Sequence, residues 1–186
     1  TTTSDVWVVY ANNGTISGLY VAHATYTASG STWNWDNTGT QVESTSQYNV
    51  PSIAWNGTNL IVLSRIASYM VEVYYNPTKN GTGTWTDGGK LSSTSNSSSH
   101  YYPIVLHDAT NSITVAVYTL QADHVVAQVL ADATTPTHTN WSGEVTLSGG
   151  STINAGAANL AAILDPANKN LHVMYSDSTG GNTNPN

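Results

Sequence analysis

The sequence predicts an all-β fold built of four-stranded antiparallel meanders, the blades of a β-propeller, and three observations carry that expectation. Short apolar or alternating runs are cut by Gly, Asn, Ser and Pro clusters, the pattern of strands joined by tight turns. One run recurs four times, as Val6-Trp7-Val8-Val9-Tyr10, Leu60-Ile61-Val62-Leu63-Ser64, Ile113-Thr114-Val115-Ala116-Val117 and Leu171-His172-Val173-Met174-Tyr175, spaced by about 55 residues. A Gly-rich turn ending in tryptophan, Thr78-Lys79-Asn80-Gly81-Thr82-Gly83-Thr84-Trp85, recurs more loosely around Trp33 and Trp141. A period of about 50 residues with four strands per unit is the mark of a propeller blade.

Within each unit the recurring run is the second strand. Before three of the copies lies a first strand: Val50 to Trp55, Tyr102 to Leu106, and Asn159 to Leu164. The connecting turns Asn56-Gly57-Thr58-Asn59, Asp108-Ala109-Thr110-Asn111 and Asp165-Pro166-Ala167-Asn168 all use hairpin chemistry. Third strands follow at Leu19 to Ala24, Met70 to Tyr75 and Val125 to Leu130, and a Trp-bearing fourth strand closes each unit. No amphipathic helix is expected; Ala155 to Leu164 comes nearest, but Gly156 interrupts it and the repeat makes its second half a strand.

The expected organisation is one propeller-like domain over 1–178, with blades at about 1–48 (partial), 50–100, 102–153 and 158–178 (partial), and a flexible tail at 179–186. The chain starts at a second strand and stops after another, so it reads as part of a six- or seven-bladed ring. Either a remainder of that ring or other copies of the chain complete the open blades, because unpaired edges demand covering.

Composition narrows the partners. Charged residues make up 8% of 186, and Arg65, Lys79, Lys90 and Lys169 are the only bases, giving a net charge of −7. Nucleic-acid binding needs a basic stripe, and adhesion to an anionic membrane needs clustered bases, so both are disfavoured. No apolar run approaches the roughly 20 residues of a membrane span. Without cysteine there is neither a disulfide framework nor thiolate chemistry. The Thr1-Thr2-Thr3-Ser4 start, without initiator Met, reads as processed, excised or incomplete. A Ser/Thr/Asn-rich, Lys-poor surface reads as extracellular or cell-surface. Sequons at Asn13, Asn56, Asn80, Asn96 and Asn140 fit that location, although a chain of this composition also generates them by chance.

The turn at 78–85 resembles the Asp-box, or bacterial-neuraminidase repeat, whose pattern is Ser-x-Asp-x-Gly-x-Thr-Trp between the third and fourth strands of a blade. Thr78 stands at the Ser position and Asn80 at the Asp position, while Thr84 and Trp85 match directly. Gly81 and Gly83 flank the Gly position, which Thr82 occupies; around Trp33 only Gly30, Thr32 and Trp33 match, and around Trp141 little beyond the Trp. The resemblance implies a sialidase-like β-propeller, in which this turn is structural and lies away from the ligand face. The family's enzymes bind the substrate carboxylate with three arginines and use a Tyr/Glu nucleophile pair with an acidic Asp. Arg65 is the only arginine, so this chain alone does not supply that triad.

In propellers the ligand face is formed by loops joining fourth to first strands and second to third. Here these loops gather Trp35, Tyr48, Arg65, His100, Tyr101, Tyr102 and Asp123. Aromatic faces stack on sugar rings, while Arg and Asp bond hydroxyls in fixed directions, which suits a neutral or weakly charged glycan. The same aromatics also serve to plug a channel or pack between blades. His107-Asp108 and Asp123-His124 are acid–imidazole neighbours, but adjacent strand residues point to opposite faces and make poor partners. No Gly-x-Ser-x-Gly elbow is present, no carboxylate pair stands out, and His23, His124 and His172 lack metal-ligand spacing. Glu72, between Val71 and Val73, is expected to face a polar site between blades. No cofactor is expected; Asp165 to Asn170 and Asp177 to Gly181 are polar enough for Ca²⁺, and loops of this composition are also plain turns.

The leading functional expectation is a non-enzymatic extracellular carbohydrate-binding or adhesive module. A sialidase-like glycoside hydrolase, incomplete here, and a structural component of an appendage, sheath or viral fibre are the alternatives. The step from fold to function is analogy, since propellers host many activities.

Overall fold

The computed structural model describes residues 3–12, 18–44, 49–65, 70–92, 102–120, 124–148, 160–165 and 170–175. Among these the fold is all-β, with strands arranged in four antiparallel sheets. The first sheet holds β1 (Thr3–Asn12), β2 (Gly18–Thr27) and β3 (Thr32–Glu43). The second holds β4 (Asn49–Trp55), β5 (Leu60–Arg65), β6 (Val71–Asn76) and β7 (Thr86–Lys90). The third holds β8 (Ile104–Asp108), β9 (Ile113–Leu120), β10 (His124–Ala131) and β11 (Val145–Thr146), and the fourth β12 (Leu160–Asp165) and β13 (Asn170–Tyr175). Strand order within each sheet follows the chain, so every unit is a meander.

The sheets stack in sequence order, with β1 beside β4, β4 beside β8 and β8 beside β12 as an inner row. Three apolar layers lie between them. Leu19, Val21, Trp7 and Val9 of the first sheet meet Leu60, Val62, Tyr74 and Trp85 of the second. Ile61, Leu63, Val71 and Val73 meet Val105, Ala116, Tyr118, Leu130 and Trp141 of the third. Val115, Val117, Val125 and Ala127 meet Leu160, Ala162, Leu171, Val173 and Tyr175 of the fourth. A strand covered on both faces is apolar at successive positions rather than alternating. That is why β5 and β9 are buried runs, while β13, covered on one side, alternates. Each fully buried aliphatic side chain in these layers contributes about 1.5–3 kcal/mol.

The turns form as their residues predict. Asn56 Oδ1 accepts the amides of Thr58 (3.0 Å) and Asn59 (2.7 Å), and Asp108 Oδ1 those of Thr110 (2.9 Å) and Asn111 (3.1 Å). In the turn at 78–85 Gly81 and Gly83 take positive φ, +72° and +86°, whereas Asn80 acts through its side chain, accepting from the Thr82 amide and hydroxyl. The Trp85 indole donates to the Gly81 carbonyl at 3.0 Å, and Asn76 ties the turn at both ends by accepting from Thr78 N and donating to Thr82 O. Pro51 sits in β4, an edge strand, where a missing donor is tolerated.

The fourth strands differ from expectation. Trp85 lies just ahead of β7, and Trp141 follows a 3-10 turn at His138–Asn140, leaving only Val145–Thr146 as a strand. Both indoles drop into the layer between sheets and draw the chain out of the pleat. In the first sheet β3 is long and carries Trp33 and Trp35 within it, both half exposed instead of buried.

Candidate functional site: strand ends and an exposed aromatic face

Antiparallel pairing puts the end of each second strand and the start of each third strand at one end of its sheet. Arg65, half-buried, closes β5 there, opposite Val71 and Asn49. Tyr102, also half-buried, lies two residues ahead of β8 at the corresponding end of the third sheet. Tyr48, His100, Tyr101 and Asp123 lie outside the described residues. Trp35 does not join this end. It pairs with Ala24 in the body of the first sheet, because β3 continues to Glu43 where a loop is expected from residue 34.

What Trp35 does join is an aromatic face that sequence reading missed. Trp33 pairs with Tyr26, with ring centroids 5.1 Å apart, and Trp35 follows on the same face. Val8 and Tyr10 of β1 continue it, with Tyr10 stacked on Tyr20 at 5.7 Å. This is the face turned away from the second sheet. The signal in the sequence is the Trp33-Asn34-Trp35 alternation itself.

Among the described residues, carboxylate–imidazole contacts form across strands. His23, buried in β2, places Nδ1 2.6 Å from Asp36 Oδ1 and Nε2 3.0 Å from Asp5 Oδ1, so one ring ties β1 to β3. The Lys79 ammonium reaches Asp5 Oδ2 at 2.6 Å, and the Trp7 indole donates to the Lys79 carbonyl at 2.7 Å. Together they fasten the 78–85 turn of the second sheet onto β1. His107 contacts Asp132 at 2.8 Å, and Thr114 donates to the other oxygen of Asp132, while Asp108 serves its turn. The separation predicted for His107 and Asp108 therefore holds; Asp123, the neighbour of His124, lies outside the described residues. Among the described residues these clusters tie neighbouring strands together.

Among the described residues, two tyrosines bond glutamates. Tyr74 donates to Glu72 at 2.7 Å and Tyr118 to Glu144 at 2.8 Å; in the first sheet Gln41 donates to Tyr20 at 3.2 Å. Both paired tyrosines are sealed from solvent, and burial, reinforced by Glu144, pushes the Tyr118 hydroxyl far above its usual range. Burial also raises Glu72, partly opposed by the Tyr74 bond and assisted by Asp87 and Glu43. Glu72 faces the first sheet, as its alternation with Val71 and Val73 predicts. Neither pair offers a reachable nucleophile.

The sequons divide. Asn56 is buried with its amide nitrogen turned inward, so it presents no acceptor, because its side chain builds the turn. Asn80 is half-buried in its turn, and Asn140 is exposed but donates to Thr135 O at 2.9 Å. Asn13 and Asn96 lie outside the described residues, as do most of the loops considered for Ca²⁺ (166–169 and 177–181). Among the described residues no group of three His, Asp or Glu could hold a metal ion, and no helix is long and apolar enough to cross a membrane.

By sequence the chain matches no protein-family model and no curated protein. By structure it is similar to Trypanosoma rangeli sialidase, solved in complex with the inhibitor DANA, with a TM-score of 0.58 and 12% identity. The match covers 96% of this chain and 28% of that one, so the chain spans little more than a quarter of the sialidase's length. At that identity the likeness is one of fold, and the fold is that of sialidase-like propeller blades.

Proposed function

We propose that the chain is a carbohydrate-binding or adhesive module of sialidase-like fold, working outside the cell without hydrolysing its ligand. The observation that carries this reading is the common placement of Arg65 and Tyr102 at one end of neighbouring sheets, opposite the 78–85 turn. A guanidinium and a phenol there supply directed hydrogen bonds and a flat face, the pair of contacts a sugar needs. Tyr48, His100, Tyr101 and Asp123 extend the same rim in the reading from sequence. The 78–85 turn then plays the part of a degenerate Asp-box, structural and remote from the ligand. Binding is favoured over catalysis because Arg65 is the only arginine and both Tyr–Glu pairs are buried.

Calorimetric titration with lactose, N-acetyllactosamine oligomers and 3′-sialyllactose tests this. Weak binding, with Kd on the order of 0.1–1 mM and lost in Arg65→Ala or Tyr102→Ala, is expected. No binding at 10 mM sugar would remove the reading. Released monosaccharide in the same samples would replace it with hydrolysis.

A further inference from the structure

We infer that the Asn56-Gly57 turn modifies itself: the Asn56 side chain closes onto the Gly57 nitrogen as a succinimide, which water opens to an aspartate. The turn lies at the end of the second sheet opposite Arg65, so this chemistry is separate from the rim to which the carbohydrate reading belongs.

The sequence holds three Asn-Gly pairs, at Asn13, Asn56 and Asn80, and the first lies outside the described residues. The reaction needs a backbone N–H free to attack, a polarised side-chain carbonyl and room for the backbone to bend. At Asn56 all three are in place. Gly57 is exposed at φ +89°, a Cβ there would meet nothing within 4 Å, and among the described residues no acceptor takes its N–H. Asn56 Oδ1 accepts the amides of Thr58 at 3.0 Å and Asn59 at 2.7 Å. Those donors point at the oxygen that takes negative charge when the Gly57 nitrogen adds to Cγ, as in an oxyanion hole. They also fix which side-chain atom is oxygen, since two amides can bond only an acceptor. Nδ2 is thereby left buried without a partner, in a residue only 2% exposed. A buried donor with nothing to bond is costly, and the reaction expels it.

In the first step the Gly57 nitrogen gives its proton to solvent base and bonds to Asn56 Cγ, while the Cγ–Nδ2 bond breaks and ammonia leaves with a proton from solvent. Water then adds at Cγ, which the same two amides polarise, and the new Cγ–N bond breaks. The Gly57 nitrogen recovers its proton, so an amide and a water become a carboxylate and an ammonium ion with no change of oxidation state.

Asn80-Gly81 is the internal contrast. Its carbonyl is also polarised, by the Thr82 amide and hydroxyl, but its nucleophile is engaged. Gly81 N donates to Thr78 O at 2.9 Å, and Gly81 is buried, with Leu60, Val21 and Trp85 crowding the place of a Cβ. The product at 56 has a precedent in the third sheet. Asp108 opens its turn with the same two backbone bonds, and its Oδ2 accepts from Asn111 Nδ2. An aspartate at 56 puts an acceptor where Nδ2 is orphaned.

The test is peptide mapping by mass spectrometry of the chain held at pH 8 and 37 °C for two weeks, native and in 8 M urea. The amide-to-acid mass increment is followed at residues 56 and 80, and fragmentation separates aspartate from isoaspartate. In urea the two sites should convert at like rates, both being Asn-Gly. In the native chain Asn56 should convert to aspartate about fivefold faster than Asn80 or more, the factor that one hydrogen bond on the Gly81 nitrogen is worth. Native Asn80 converting as fast as Asn56 overturns the proposal. So does a native Asn56 that stays intact while the urea sample converts, or isoaspartate as the main native product at 56.

Discussion

The Lys79 ammonium lies 2.6 Å from Asp5 Oδ2, so an ion pair joins the turn of the second sheet to the first strand of the first. Burial opposes the ionised Asp5 carboxylate, but the Lys79 and His23 hydrogen bonds outweigh it and hold the group below its ordinary 3.8. A carboxyl depressed in the folded state adds stability above its unfolded pKa and loses it as pH falls through the folded one. Asp5→Asn should therefore destabilise the chain at pH 6, and the gap to wild type should close as pH drops below about 4. Urea melts at pH 6, 4 and 3 check this; a gap constant with pH would mean the ion pair contributes nothing.

Glu72 carries the opposite sign. Its pKa is raised above 4.5 by burial, so folding is favoured where the group is protonated, and stability falls as pH rises through the folded value. Glu72→Gln keeps an acceptor for Tyr74 and removes the buried charge. It should raise the melting temperature at pH 8 by about 2–4 °C, a gain that vanishes towards pH 4. A melting temperature lowered at both pH values would show that the carboxylate is needed as such.

Trp85 and Trp33 separate burial from residue type. Trp85→Ala empties the layer between the first two sheets and should cost about 3–5 kcal/mol. Trp33→Ala should cost no more than about 0.5 kcal/mol. Equal losses in denaturant titrations would contradict the packing described here.

Gly81 sits at φ +72°, and a Cβ there would lie 3.2–3.3 Å from Leu60, Val21 and Trp85. Gly81→Ala combines a left-handed backbone with a crowded layer, so a loss of about 1–3 kcal/mol is expected. Gly83 shares the positive φ but has open space around it, and Gly83→Ala should cost less. Thermal melts of the two variants side by side give the comparison.

Much of the fold is legible in the residues. The runs at Leu60 and Ile113, the Asn56 and Asp108 turns and the Gly81–Trp85 geometry are local chemistry, and each forms as its sequence indicates. The lengths of the fourth strands are not local. Whether Trp33 stays in a strand or, like Trp85, falls between sheets depends on a neighbouring sheet that the local sequence does not encode. The same limit hides the site. His23 meets Asp36 and Asp5, and His107 meets Asp132, through pairing registers that sequence spacing does not announce. Trp35 lies off the loop rim because β3 runs on to Glu43.

Since among the described residues each apolar layer joins sheets that follow one another in the chain, the molecule behaves as a one-dimensional stack. Its resistance to opening should then grade along the sequence. Amides of β5, β6, β9 and β10, flanked on both sides, should exchange with solvent slowest. Those of β12 and β13, covered on one side, should exchange first, so the chain would fray from its end sheets before its middle gives way.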